Sequence, residues 1–214
     1  MRVGIVTEGT SDFLVLSAIV ESILPGTETM ALWPDTAASG RPFGWRGVKS
    51  WCEEHGNRLE TLMRGVPGRE IDLLIVHVDC SMADKVGARM PCPPARDTSD
   101  GLRSVILDAW IGRAGLAWIV TTTPSLTTDT WAIAALEPEY RPDGELECDL
   151  GVEAELVRRK RLRRKGGRVA KPGTAYRSLS GEVTASLDRV RSRCPEAERF
   201  CREVMGAAET VNAR

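Results

Sequence analysis

Short apolar runs alternate with amphipathic stretches along the first two thirds of the chain. Residues 2–7 (Arg-Val-Gly-Ile-Val-Thr) form the first run and suit a buried strand. Ser11 is placed to cap an apolar helix over 12–24, which Pro25-Gly26 stops. A second strand falls around 29–33. After a loop rich in Gly, Pro and Ser, residues 48–63 predict an amphipathic helix, because Val48, Trp51, Leu59, Leu62 and Met63 recur at near-helical spacing. The clearest strand is 73–78, flanked by Asp72 and Asp79. Pro91, Pro93 and Pro94 mark a loop, Ser99 is placed to cap a helix running to about 113, and 116–122 is a third strand. Thr127 or Thr128 opens an apolar helix over 131–136. Beyond a polar turn at Pro142-Asp143-Gly144 the alternation stops, and a basic segment leads to helices around 181–193 and 195–205.

Strands alternating with helices predict βαβ units. The expected fold is therefore α/β, a mostly parallel sheet of about four strands flanked by helices, with a basic, helical C-terminal extension. We read 1–140 as one core and 141–214 as segments packing on it rather than as a second core, which suits a chain of 214 residues. In such sheets ligands bind beyond the carboxyl ends of the strands.

Charge changes this picture. The net charge of -1 conceals a run from Arg158 to Arg177 with ten basic residues and no acid; the remaining 19 basic residues face 30 acids. An acidic body with one dense basic segment points to a polyanion held by Arg158, Arg159, Lys160, Arg161, Arg163, Arg164, Lys165 and Arg168. The competing reading is a solvated loop. The six cysteines are scattered without a CxxC pair and read as reduced thiols. With no apolar stretch of about 18 residues and no leader pattern, the expected compartment is the cytoplasm, away from any membrane.

Candidate chemistry sits at the ends of the predicted strands. Glu8 follows the first and leads to Asp12, Asp79 ends the clearest one with Asp84 beyond it, and Ser125 and Asp129 follow the next. If these strands are parallel and adjacent, the acids converge on one sheet edge. Carboxylates brought so close repel one another, and a divalent cation removes the conflict. All-oxygen ligands suit Mg²⁺ or Mn²⁺, which also accept phosphate oxygens.

At these residues the chain resembles the Toprim superfamily. Val6-Thr-Glu-Gly-Thr-Ser-Asp12 is similar to the signature in which a strand ends in Glu-Gly and a helix follows, and Val76-His-Val-Asp79 to the second signature. Within the superfamily the similarity is to the Toprim half of OLD-family nucleases and to small stand-alone relatives encoded beside an ATPase. Asp129-Thr-Trp131 resembles the acid-x-tryptophan element of the latter. The resemblance spans roughly 1–136, with a looser match near Lys171. It implies a Toprim-like sheet and a nuclease that cleaves DNA or RNA with Mg²⁺ or Mn²⁺. Glu8 and Asp79 would form the core of the site, Asp12, Asp84, Ser125 and Asp129 would complete it, and Lys171 would assist the phosphate. It further implies a partner ATPase and a part in antiphage defence. One departure stands out: the usual Asp-x-Asp reads Asp79-Cys80-Ser81. Either Asp84 takes over, or the site holds one metal, or the chain is an inactive adaptor that binds a partner.

Each residue also has a plainer reading. Glu8 and Asp79 could be solvated strand-end acids, and Asp12 and Asp129 first-turn helix acids. His77 shares the side of its strand with Asp79, as a partner that orients a ligand or as a satisfied core histidine. Cys52 and His55 form only half of a zinc pattern. Five of the six tryptophans, Trp45, Trp51, Trp110, Trp118 and Trp131, read mostly as core. No GxxxxGK[ST], GxSxG or HExxH is present, which sets aside Walker-type ATP hydrolysis, serine hydrolases and zincins.

Overall fold

Alternating apolar side chains fill both faces of a four-stranded sheet. The structure, a computed structural model, describes residues 1–34, 43–64, 70–89, 92–112, 116–124 and 126–213, with the side chains of 62–64 outside the description. The sheet contains β1 (Arg2–Val6), β2 (Glu28–Trp33), β3 (Leu73–His77) and β4 (Ile119–Thr122). Its order is β2-β1-β3-β4 and every pairing is parallel. The α/β class and the parallel sheet flanked by helices are thus as the alternation predicts. Ile5 aligns with Ile75, and Ile75 with Val120, so the carboxyl ends of β1, β3 and β4 lie side by side.

All five residues of β3 are buried, as a strand covered on both faces requires. Leu73 and Ile75 join Val3, Ile5 and Val120 on one face, against α1 (Thr10–Ile23), α5 (Asp129–Leu136), α7 (Gly173–Ala185) and α9 (Pro195–Asn212). Leu74 and Val76 point to the other face, which α2 (Trp45–His55) and α4 (Ala95–Ser104) cover. The C-terminal residues Tyr176, Val183, Phe200 and Val204 belong to the same cluster as β1 and β3, so the last third completes the core. Trp51, Trp110, Trp118 and Trp131 are buried and Trp45 is partly so. Among the described residues no helix is long and apolar enough to cross a membrane.

The remaining α-helices and strands are α3 (Leu59–Arg64), α6 (Val152–Arg158), β5 (Arg163–Lys165), β6 (Arg168–Ala170) and α8 (Leu187–Arg193), and a π-helical segment, Val105–Ile111, continues α4. Several local expectations are corrected. The helix expected over 48–63 breaks into α2 and α3 around a short turn at Gly56–Arg58. There a Cβ on Gly56 would stand 2.5 Å from the Ile111 carbonyl oxygen, so only glycine lets the two backbones meet. Gly9, not Ser11, precedes α1. Ser99 lies inside α4, where its hydroxyl donates to Glu196 (2.6 Å) instead of capping. Cys92 and Cys148 are joined in a disulfide, while Cys52, Cys80, Cys194 and Cys201 are free and buried. The expectation of six thiols fails here because the proline loop and the turn at Leu146–Cys148 are brought together, with the Ala95 amide donating to Glu145 (2.8 Å).

Near that turn Glu147 is buried and accepts hydrogen bonds from Trp131 Nε1 and from the Glu196 amide in the first turn of α9, both at 3.0 Å.

Candidate metal centre

Parallel pairing places the residues after β1 and β3 at one edge, and α1 turns back across it. Asp12, in the first turn of α1, is buried, and its Oδ1 accepts a hydrogen bond from Thr128 Oγ1 (2.7 Å) just before α5. The backbone amide of Asp79 donates to Glu8 Oε1 (2.8 Å), tying the two strand ends together.

Between Asp12 and Asp79 lies His77, fully buried at the end of β3. Its Nε2 is 3.5 Å from Asp79 Oδ1 and 3.8 Å from Asp12 Oδ1. Its Nδ1 is 3.4 Å from the Thr122 carbonyl, which only accepts, so the tautomer that makes this hydrogen bond carries its proton on Nδ1. Nε2 then presents a lone pair toward two carboxylate oxygens. Among the described residues neither Nε2 nor Asp79 Oδ1 has a hydrogen-bond partner. The reading of His77 as a satisfied core histidine is therefore corrected: it is buried, but half satisfied.

Ligand atoms of Asp12, His77 and Asp79 all lie within 4.8 Å of one another. Two unit charges about 4 Å apart repel by about 4 kcal/mol at an effective dielectric of about 20, several times the net worth of one hydrogen bond. The electrostatics record that conflict. Burial and the neighbouring acids Asp12 and Glu8 push the Asp79 carboxyl well above the usual carboxylate range. Burial raises Asp12 as well, against the Thr128 hydrogen bond. Glu8 is pushed up to about 7, first by burial and then by Asp12, although the Asp79 amide works the other way. Burial lowers His77 to about 3, which keeps the imidazole neutral. Two carboxylates and a neutral imidazole lone pair, packed without enough donors between them, fit a divalent cation; a proton on a carboxylate is the other species that would relieve them.

A second layer surrounds this group. Asp129, at the start of α5, is fully buried and accepts from Lys171 Nζ (2.7 Å) and from the Tyr176 hydroxyl. Lys171 also pairs with Glu153 (2.8 Å), and 32 % of its side chain is exposed. Burial disfavours the Lys171 ammonium, but Asp129 and Glu153 outweigh it and hold the group protonated. Its charge in turn reaches Glu8, Asp12 and Asp79. Asp79, Ser81, Thr127, Leu150, Glu153 and Lys171 line a cavity of about 190 Å³ beside the group.

Of the sequence candidates, the structure brings Glu8, Asp12 and Asp79 together, with Asp129 and Lys171 as a paired flank. Asp84 is exposed on the turn after β3 and stands outside the group, because that turn (Cys80–Val86) winds away from the sheet edge. Ser125 lies outside the described residues. Thr128 was read only as a possible helix start, and Glu153 and Tyr176 were not singled out by pattern, since a helix-start threonine, a helix glutamate and a core tyrosine carry no site signal of their own.

The basic segment is a two-stranded antiparallel hairpin, with Arg164 opposite Val169 and Lys165 opposite Arg168. Gly166 and Gly167 both take positive φ (58° and 77°) at its tip, the two-residue turn such hairpins favour. That Gly-Gly pair was the available signal for a hairpin. Arg158 and Arg159 are held by Glu155, and Arg159 also by Glu137. Lys160, Arg161, Arg163, Arg164, Lys165 and Arg168 are exposed and make no ion pair among the described residues. β6 runs directly into Lys171, so the hairpin adjoins the centre through the chain itself.

Comparison with family models, curated proteins and solved structures finds no match to this chain.

Proposed function

We propose that this chain is a metal-dependent nuclease of the Toprim type, hydrolysing phosphodiesters of DNA or RNA. The observation that carries the reading is the buried, under-donated acidic group at the adjoining ends of β1 and β3, flanked by one lysine and a basic hairpin. Asp12 and Asp79, with Glu8 beside them, would hold Mg²⁺ or Mn²⁺. When bound, such an ion polarises a phosphoryl oxygen and lowers the pKa of a coordinated water. Glu8 would accept the proton of an attacking water. Lys171, on the cavity wall with Asp79, offsets charge gathering on the phosphate, and Asp129, Glu153 and Tyr176 fix it there. The hairpin's exposed arginines and lysines would hold the nucleic-acid backbone without reading sequence.

The cavity of about 190 Å³ is smaller than the roughly 300–1,000 Å³ of sites that enclose whole small molecules. It suits a phosphate group entering from a polymer better than a nucleotide substrate, which a phosphotransfer enzyme would need.

The similarity to OLD-family nucleases and their stand-alone relatives extends the proposal to a cytoplasmic subunit working with a separate ATPase in antiphage defence. The Cys92–Cys148 bond removes the cysteine argument for the cytoplasm, so the compartment rests on that similarity.

A second reading, a non-catalytic adaptor, is favoured by Ser81 in place of the second acid and by the outlying Asp84. The experiment incubates the chain with supercoiled plasmid and with single-stranded RNA in Mn²⁺, Mg²⁺ or EDTA, beside Glu8→Ala and Asp79→Ala. Metal-dependent cutting lost in both variants supports the nuclease. No cutting, or cutting that survives both substitutions, moves the reading to the adaptor.

A further inference from the structure

We infer that His77 is itself a ligand, so that Asp12, His77 Nε2 and Asp79 make a mixed nitrogen-oxygen site selective for first-row transition cations of the Mn²⁺ class over Mg²⁺. The inference rests on reading the group as a metal centre and deepens it by naming the class of ion. The acidic residues alone would not carry it. The independent observation is the imidazole, which is fully buried, has an Nε2 unpartnered among the described residues, and lies 3.5 Å and 3.8 Å from the two carboxylates.

A metal-ligating histidine ordinarily donates its other ring N–H to a carbonyl or carboxylate, which fixes the tautomer and aims the lone pair. His77 has that arrangement: Nδ1 faces the Thr122 carbonyl of the adjacent strand at 3.4 Å, in register with it across the β3–β4 ladder.

Ligand type then decides the ion. Mg²⁺ is hard, dehydrates reluctantly and takes oxygen in near-octahedral order. Imidazole suits the later first-row metals, and carboxylate suits Mn²⁺ as well as Mg²⁺. One imidazole with two carboxylates is a set that Mn²⁺, Fe²⁺ or Co²⁺ satisfies and Mg²⁺ does not. Ser81 at the position of a second strand-end acid fits the same logic, because His77 supplies a donor from two residues before Asp79.

The test uses Mn²⁺ as probe and electron spin-echo modulation as readout, on untagged full-length protein. The chain has two histidines, so isotope labelling assigns the signal with little ambiguity. The expected result is one tightly bound Mn²⁺ with ¹⁴N modulation that changes on ¹⁵N-histidine labelling. It persists in His55→Gln and vanishes in His77→Gln. In competition, Mn²⁺ should bind at least about tenfold more tightly than Mg²⁺. If His77→Gln fails to fold, the labelled and unlabelled wild-type proteins with His55→Gln still decide. Bound Mn²⁺ without histidine coupling, equal competition by Mg²⁺, or no stoichiometric Mn²⁺ would each overturn the inference. Histidine-coupled Mn²⁺ in a protein that cuts no nucleic acid would uphold it while removing the nuclease reading. Cutting without the coupling would do the reverse.

Discussion

The Nε2 atom of His77 and the Oδ1 atom of Asp79 lie 3.5 Å apart, both buried and both without a hydrogen-bond partner among the described residues. The two atoms face each other across that gap, held by the end of β3 with the residues just beyond it and by the Thr122 carbonyl behind the ring. A fold does not gain stability from such a pairing. Residues held at a cost to the metal-free fold are what a binding site requires, and the cost is measurable.

Asp79→Asn should therefore raise the stability of the metal-free protein by about 1–3 kcal/mol, since it removes a buried like-charge conflict. Urea denaturation in EDTA measures this. The same variant should lose the stabilisation that Mn²⁺ gives wild type, about 2.7 kcal/mol at a hundredfold excess over Kd. A destabilised apo variant would mean that Asp79 serves the fold.

Stability should also depend on Glu147, which lies away from the centre. Burial pushes its carboxyl up to about 7 from an ordinary 4.5, against the hydrogen bonds from Glu196 and Trp131. A raised carboxyl pKa means that the folded state prefers the protonated form. Its contribution is complete below about 4.5 and is lost as pH rises through about 7. Between pH 5 and 8, in EDTA, wild type should lose on the order of 2 kcal/mol that Glu147→Gln does not lose. Parallel pH profiles for the two proteins would reject the assignment.

Gly56→Ala probes the break between α2 and α3. The added Cβ would meet the Ile111 carbonyl oxygen at 2.5 Å, and both partners are backbone. The expected loss is about 1–3 kcal/mol by thermal or urea denaturation, with the Asp12–His77–Asp79 group untouched. A neutral substitution would show that the two segments are less closely packed than described.

For the hairpin, nucleic-acid affinity should fall steeply with salt. Each of Arg163→Ala, Arg164→Ala and Lys165→Ala should reduce the slope of log K against log[salt] by about 1 if that residue contacts a phosphate. Arg158→Ala should change it less, because Glu155 already holds that guanidinium. Unaltered slopes in all four would remove the hairpin from the interface.

Much of this arrangement was legible in the chain. The apolar runs announced four strands, and the acids after them were placed by the rule that parallel sheets gather their carboxyl ends. What patterning could not supply came from contacts between distant segments. His77 reads as one more core residue in an apolar strand; its role depends on a carbonyl 45 residues away. The break at Gly56 depends on Ile111, and the Cys92–Cys148 bond on the approach of two loops. Asp84 was promoted by closeness in sequence, yet the turn carries it outward. Arg158 and Arg159 counted as part of a basic run until their acidic partners were in place.

Diffraction from crystals grown with Mn²⁺, recorded where manganese scatters anomalously, tests the central claim most directly. The account predicts an anomalous peak enclosed by Asp12, His77 and Asp79 at the ends of β1 and β3, absent from Asp79→Asn crystals. Peaks only at exposed acids, or none at all, would contradict it.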